Sequence, residues 1–294
     1  MIPAAFEYHR PKDLQAALAL MQQHEGDAKL MSGGMSLIPS MKLRMNQPQH
    51  LIDLAEVGEL KGISVEGDFL RIGAYTTHWQ VESSPVVRSV LPMLSEAAGV
   101  IADPQVRNRG TIGGSIANAD PAADYPASAL ALEAQLVCAG PESERIVKAT
   151  DWFQGLFTTA LGEDEILREI RFPLPAPRTS AAYLKLLHPA SRFALVGVAA
   201  VMTADESGIC KSIRIGITGA GSFAVRATAI EQELTGHKLE ADRIKAASQK
   251  AEEGLEINGD IHFTEEDRTQ LCRVYVERAV TLVMQKSEKK IFQR

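Results

Sequence analysis

Cysteine is scarce in this chain of 294 residues: Cys138, Cys210 and Cys272 stand far apart and form no CxxC pair. They cannot by themselves hold a four-thiolate iron–sulfur cluster or a cysteine-rich zinc site. Two readings remain for them, small buried hydrophobes or surface thiols. The seven histidines show no HxxxH spacing, so they are assigned neither a metal nor a catalytic triad. Aromatics make up only 5% of the chain, and no basic cluster interleaves with them. The net charge is −6, from 31 Lys and Arg against 37 Asp and Glu, which speaks against nucleic acid as a partner. The longest charge-free apolar run, Phe193–Ala204, covers 12 residues, too few for a membrane-spanning helix. The opening Met1–Asp13 has no apolar signal core, so a cytoplasmic location without disulfides is expected.

What is present is ordinary globular composition, 45% hydrophobic and 23% charged. Asp13 is placed to cap a helix carrying Leu14, Leu18 and Met21 on one face. Ala28–Met31, Leu51–Leu54 and Phe69–Gly73 read as strands, each bounded by turn residues. Thr76 or Thr77 caps a helix around Trp79, and Val90–Ala98 suggests another. Three prolines within Pro173–Pro177 suit neither a helix nor a central strand, so residues 173–177 are expected to be an extended linker. Beyond it, Phe193–Ala204 and Ile213–Ile217 suggest a strand hairpin. Helices are expected over Ala224–Leu234, Ala241–Glu253 and Glu265–Lys286, with a frayed basic tail after them.

Two loops carry a glycine pair. Ser32-Gly33-Gly34-Met35-Ser36 follows the strand Ala28–Met31. Gly110-Thr111-Ile112-Gly113-Gly114-Ser115 lies 80 residues later, with Asn118, Asp120 and Asp124 just beyond it. Glycine permits positive φ, expected here at Gly33 and Gly114, and successive N–H groups can then point inward as an anion-binding nest. Flanking hydroxyls add donors, and two such loops suit one pyrophosphate. Taken singly, each loop also reads as an ordinary tight turn. Neither fits GxGxxG, and Lys42 lies eight residues beyond Gly34, too far for a P-loop lysine. A Rossmann NAD domain and a P-loop NTPase are therefore disfavoured.

Together, Lys29–Pro39 and Ile101–Ser115 closely resemble the FAD-binding subunit of molybdenum hydroxylases. That family includes the medium subunit of aerobic carbon monoxide dehydrogenase, the closer match in length and opening, and the flavin domain of xanthine dehydrogenase. The resemblance runs from Phe6–Pro11 to the C-terminal helix. It implies an α+β chain with a two-subdomain FAD-binding fold of the vanillyl-alcohol-oxidase/MurB type, followed by a C-terminal α+β domain. The expected divisions are an FAD-binding region 1–172 (an N-terminal α/β subdomain 1–55 and a second α/β subdomain 56–172), the linker 173–177, a C-terminal domain 178–288 and a tail 289–294.

By the same resemblance, FAD lies extended between the first two subdomains. Lys29, Leu30, Ser32, Gly33, Gly34, Met35 and Ser36 would line one side of it. Gly110, Thr111, Gly114, Ser115, Ala117 and Asn118 would line the other, with Asp124, Leu161, Lys185 and Phe193 nearer the ribityl chain and ring. Position 35 is Met where relatives often carry His or Thr, and position 115 is Ser where Asn is common. Both changes leave the backbone nest intact. The implied work is electron transfer: FAD takes electrons from two-iron iron–sulfur clusters in a small partner subunit and passes them to an external acceptor. The molybdenum cofactor resides in a large partner subunit, and the whole is a dimer of heterotrimers. A stand-alone FAD oxidoreductase and a flavin-free assembly subunit are the alternatives.

Read from the residues alone, several of these positions have plainer roles. Asp124 suits a helix N-cap. Strand alternation turns Lys185 toward solvent, although a lysine near a flavin can also stabilise the anionic reduced ring. Phe193 reads as core by default. Arg107 and Arg109 are either a solvated pair or neutralise pyrophosphate charge.

Overall fold

Parallel strands need crossovers between them, and the first segment of the chain supplies both. The computed structural model describes residues 1–292, with side-chain surroundings through residue 289. Strands β1 (Glu7–His9), β2 (Ala28–Met31) and β3 (His50–Asp53) form a parallel sheet in the order β1-β3-β2. Helix α1 (Leu14–Gln23) is capped by Asp13, whose carboxylate accepts from the Ala16 N–H at 2.8 Å, as its sequence suggests. Its Leu14, Ala17 and Leu18 pack with Leu30 on one side of the sheet. Helix α2 (Leu37–Lys42) packs its Met41 against Met31 and Leu51. Since Leu30 and Leu51 alternate in register, the two helices cover opposite faces.

The second sheet is antiparallel at every pairing. It contains β4 (Ile63–Glu66), β5 (Phe69–Gly73), β6 (Gln135–Ala139), β7 (Glu144–Lys148) and β10 (Ile166–Pro173), in the order β4-β5-β10-β6-β7. Between β5 and β6 run α3 (His78–Ser83), α4 (Pro85–Val90), α5 (Pro92–Gly99), α6 (Pro104–Arg107), α7 (Ile112–Asn118) and α8 (Asp124–Ala131). Thr77 caps α3 in a reciprocal box with Gln80. The helix expected over Val90–Ala98 breaks at Leu91, because Pro92 can begin a helix but not continue one. A short helix α9 (Ala149–Trp152) and the pair β8 (Phe153–Gly155) and β9 (Thr158–Thr159) complete this part. Pro173 is not outside the sheet as expected: it is the last residue of central strand β10, paired with Phe69.

The third sheet, β11 (Thr179–Leu187), β12 (Ala194–Ala204), β13 (Cys210–Thr218) and β14 (Val225–Arg226), is an antiparallel meander. The β12–β13 hairpin is the one its sequence suggests. Helices α10 (Thr228–Leu234), α11 (Ala241–Ser248) and α12 (Glu265–Phe292) follow. Val225 and Arg226 form a short strand where a helix was expected, and α11 ends at Ser248 rather than Glu253. Helix α12 continues past Lys286 instead of fraying there; the last two tail positions, 293 and 294, lie outside the described residues. Among the described residues, no helix is long and apolar enough to cross a membrane.

Strand β12 is apolar because both its faces are covered. Val196, Val198, Ala200 and Met202 pack with Val276, Ala279, Val280 and Val283 of α12. Ala199 and Val201 join the core that contains Tyr125, Ala127 and Leu130 of α8. Helix α8 is buried at every residue. It sits so close to β13 that a Cβ at Gly216 would collide with the Ala127 carbonyl. All three cysteines are buried.

Gly216→Val should therefore force α8 off the sheet and destabilise the protein by about 3 kcal/mol, as overpacking of a tight core does. Urea unfolding against the parent protein measures this. An unchanged midpoint would mean that the backbone yields here.

Candidate cofactor-binding site

The two glycine loops meet. Gly33 lies so close to the Arg109 carbonyl and the Gly110 Cα that no side chain fits between them. Ser32 Oγ and Thr111 Oγ1 share a hydrogen bond of 2.8 Å across the junction. The second loop is fixed from behind by three backbone bonds: His78 N–H to Gly110 O, Ile112 N–H to Thr76 O and Gly113 N–H to Ala74 O, each 2.9 Å. Thr111 then caps α7, accepting from the Gly114 N–H at 3.0 Å.

The glycines divide into two kinds. Gly34 has φ +73°, so it supplies the left-handed turn of the first loop. Gly33 and Gly114 do not have the positive φ expected of them; they are glycines for approach. A Cβ at Gly114 would stand 2.7 Å from Thr111 Oγ1.

This turn leaves donors open. Among the described residues, the N–H groups of Gly34, Met35 and Ser36 have no protein acceptor, and the Ser36 hydroxyl makes no cap bond to α2. Gly114, Ser115, Ala117 and Asn118 are the half-buried face of α7, while Ile112, Gly113, Ile116 and Ala119 are buried behind them. Lys29 is exposed and Met35 is 39% exposed, whereas Leu30 turns toward the α1 core. Open amide donors and hydroxyls beside two closely apposed backbones suit a pyrophosphate.

The two arginines do not act as a pair. Arg107 Nε donates to Glu82 Oε2 at 2.8 Å, and its Nη1 to Ile101 O at 3.0 Å, so it pins the approach to the second loop. Arg109 is exposed, and its guanidinium has no ion pair among the described residues. It is a cation available to an anionic ligand, as is the exposed Lys29 beside the first loop.

Asp124 is not the cap of α8, since Ala123 holds that position. Its carboxylate accepts from Tyr183 Oη at 2.7 Å and from Lys185 Nζ at 2.9 Å. Lys185 does not face solvent either. Its side chain is 4% exposed, as is that of Asp124, and Nζ also donates to Val100 O at 3.1 Å. Burial raises the Asp124 carboxyl above its ordinary range, against the lowering pull of Lys185 and Tyr183. Gly197 makes this possible, because any Cβ there would occupy the Tyr183 hydroxyl.

Phe193 is not a core residue. It precedes β12 and is 44% exposed, beside Arg192, whose Nε donates to Ala102 O at 3.0 Å just ahead of the second loop. Leu161 packs half-buried on the main core, between β9 and β10. Among the described residues, no hydrogen bond joins Leu161 or Phe193 to the glycine loops.

One residue near the loops carried no sequence signal. His78 is buried with its ring against Gly110 and 5.4 Å from the Tyr125 ring, and among the described residues its Nδ1 has no hydrogen-bond partner. Burial, aided by Arg107, pushes its pKa down to about 4, so the second loop rests on a neutral imidazole.

Fold and loops together suit a protein that holds an extended anionic ligand such as a dinucleotide. Residues 4–175 match the FAD binding domain in molybdopterin dehydrogenase, and residues 181–283 the CO dehydrogenase flavoprotein C-terminal domain. The carbon monoxide dehydrogenase medium chain of Hydrogenophaga pseudoflava is 42% identical over 280 residues, covering 95% of this chain and 97% of that one. Caffeine dehydrogenase subunit beta of a Pseudomonas species is 34% identical over 281 residues, 95% of each chain. A solved carbon monoxide dehydrogenase of H. pseudoflava superposes with a TM-score of 0.94 at 43% identity, over 98% of this chain and 99% of that one. The chain belongs to the FAD-binding medium subunits of the carbon monoxide dehydrogenase and xanthine dehydrogenase family, which are oxidoreductase components of molybdenum hydroxylases.

The buried ion pair yields a pH-dependent prediction. Lys185→Met leaves the Asp124 carboxylate buried without a cation, which costs about 3–5 kcal/mol at neutral pH. A raised folded-state pKa means that folding takes up a proton, so the loss should grow as pH rises above the ordinary carboxyl range and shrink below it. The double variant Asp124→Asn/Lys185→Met should recover most of it. Urea unfolding at pH 5 and pH 8 decides; equal losses at both, with no recovery in the double variant, would exclude a buried-charge origin.

Proposed function

We propose that this chain is the electron-transfer subunit of a molybdenum hydroxylase complex, holding FAD between its two glycine loops. The observation that carries the reading is the open triplet of amide donors at Gly34, Met35 and Ser36, apposed to a second loop that Ser32 and Thr111 tie in place. On this reading those amides and the Ser36 hydroxyl bind the pyrophosphate, and Arg109 neutralises part of its charge. Lys29 and the backbone of Leu30 flank the cofactor on one side; Gly110, Gly114, Ser115, Ala117 and Asn118 flank it on the other. Asp124 and Lys185 hold β11 against α8 where Leu161 and Phe193 would border the ring. When bound, FAD supplies a ring that takes up electrons singly and gives them up as a pair.

Electrons would come from two-iron iron–sulfur clusters of a small partner subunit, fed by a large subunit with the molybdenum cofactor. Three isolated, buried cysteines fit that division, since they leave this chain no cluster ligands. The same free thiols suit the reducing cytoplasm as the location. The proposed assembly is a dimer of heterotrimers.

A visible spectrum of gently purified native protein, with metal analysis on the same sample, tests this. Flavin bands with molybdenum and iron co-eluting are expected. Flavin without metals in a preparation that retains full activity would indicate a stand-alone oxidoreductase. A colourless protein that takes up no added FAD would leave the assembly-subunit reading.

The loop assignment has its own test. Gly34→Val should lower bound flavin at least about tenfold by straining the left-handed turn, while circular dichroism persists. Arg109→Gln should weaken FAD binding by about fivefold to tenfold, with a shallower salt dependence. Full occupancy in both variants would remove the pyrophosphate from this loop.

A further inference from the structure

The seven histidines are scattered in sequence, but the fold gathers three of them. His9 ends β1, His24 is the C-cap residue of α1, and His50 opens β3. One ring nitrogen from each lies within 4.8 Å of the other two. His9 Nε2 and His50 Nδ1 are 3.0 Å apart. The His24 and His50 rings stack with centroids 3.6 Å apart, and His9 lies 5.2 Å from each. All three are half-buried, so the group is both held and reachable. A fourth donor stands beside it: Glu7 Oε2 is 3.6 Å from His50 Nδ1 on a largely exposed side chain.

Convergence of three imidazoles has a specific chemical use. Around a tetrahedral ion with metal–nitrogen bonds of about 2.0–2.1 Å, ligand nitrogens are about 3.3 Å apart. The nitrogens here span 3.0 Å to at most 4.8 Å, a spread that ring rotations can close. Imidazole prefers borderline divalent ions such as zinc over magnesium or calcium, which select oxygen.

We propose that His9, His24 and His50 form a binding site for a borderline divalent cation, zinc foremost, with Glu7 or water completing the coordination. The ion would clamp α1 and β1 to β3. His50 pairs with Ala28 at the start of β2, whereas the first glycine loop follows the end of that strand. The two sites are thus separated by the length of a four-residue strand, about 13 Å, and the clamp is structural rather than part of the flavin chemistry. It stands independently of the flavin reading.

The test uses the full-length, FAD-loaded protein after chelator treatment, titrated with zinc against a chromophoric chelator. One equivalent should bind with micromolar or tighter affinity, and the unfolding temperature should rise by several degrees at saturating zinc. Millimolar magnesium should not compete. His24→Ala and the double variant His9→Ala/His24→Ala should weaken zinc binding by at least about tenfold and about a hundredfold. Among the described residues, the His24 side chain makes no hydrogen bond on which α1 depends, since the cap bond to Leu20 O uses its backbone N–H; circular dichroism and flavin absorbance should therefore be unchanged in the single variant. No stoichiometric zinc below about 100 μM, or equal affinity in parent and variants, would overturn the site.

Discussion

A helix with no face toward water can exist only where neighbouring elements both cover its side chains and satisfy its ends. Helix α8 is in that position, and the joint between the second and third sheets depends on it. Its apolar surface is covered partly by β12 and β13, with Gly216 removing the last side chain in the way. Its ends raise a stricter demand, because terminal carbonyls cannot be left dry. Arg214 donates to Ala131 O at 3.0 Å and Arg226 to Leu130 O at 3.5 Å, placing two cations at the negative end of the helix. At the other end, Thr218 Oγ1 lies 2.7 Å from Pro121 O and 2.9 Å from Ala123 O, while Asp124 takes Tyr183 and Lys185. Every one of these partners lies beyond residue 177.

The glycine loops follow the same logic of close approach but serve a different purpose. Here backbone meets backbone, at Gly33 against Arg109 and Gly110, and the open amides next to that contact are what a bound anion needs. Only Gly34 is required for its dihedral angle. Gly33 is required because a Cβ would prise the loops apart, and Gly110, Gly113 and Gly114 because theirs would strike His78, Ala74 and Thr111. A buried neutral imidazole, His78, and an arginine locked to Glu82 hold the second loop rigid from below. Arg109 is left outside that framework with its charge uncommitted.

Features carried by a few adjacent residues were legible in the sequence. The Asp13 cap, the β12–β13 hairpin and both glycine loops are local patterns, and each could be read from its own stretch of chain. The family resemblance likewise rested on the two loops. What escaped depended on partners far along the chain. Lys185 alternates as a solvent-facing strand residue should, yet Asp124, 61 residues earlier, draws it inward. Arg107 and Arg109 look equivalent until Glu82 takes one of them. Pairing of Pro173 with Phe69, and of Val225 with Ile217, is settled by neighbouring strands rather than by propensity. The positive φ expected at Gly33 and Gly114 failed because a glycine's reason for being there is often a neighbour's volume.

The closure of α8 has a consequence for the order in which the protein is made. Both glycine loops, and α8 itself, lie in the first 131 residues, whereas the strands and polar groups that seal α8 begin at Thr179. On a ribosome, the cofactor-binding half therefore emerges with a helix that the finished fold buries at every residue still open on the side of β12 and β13, and with its last carbonyl, Ala131 O, still without Arg214. It must wait, exposed, for β11 to β13 to be synthesised. The glycine loops are thus complete as a stretch of polypeptide well before the nascent chain can be complete as a folded body.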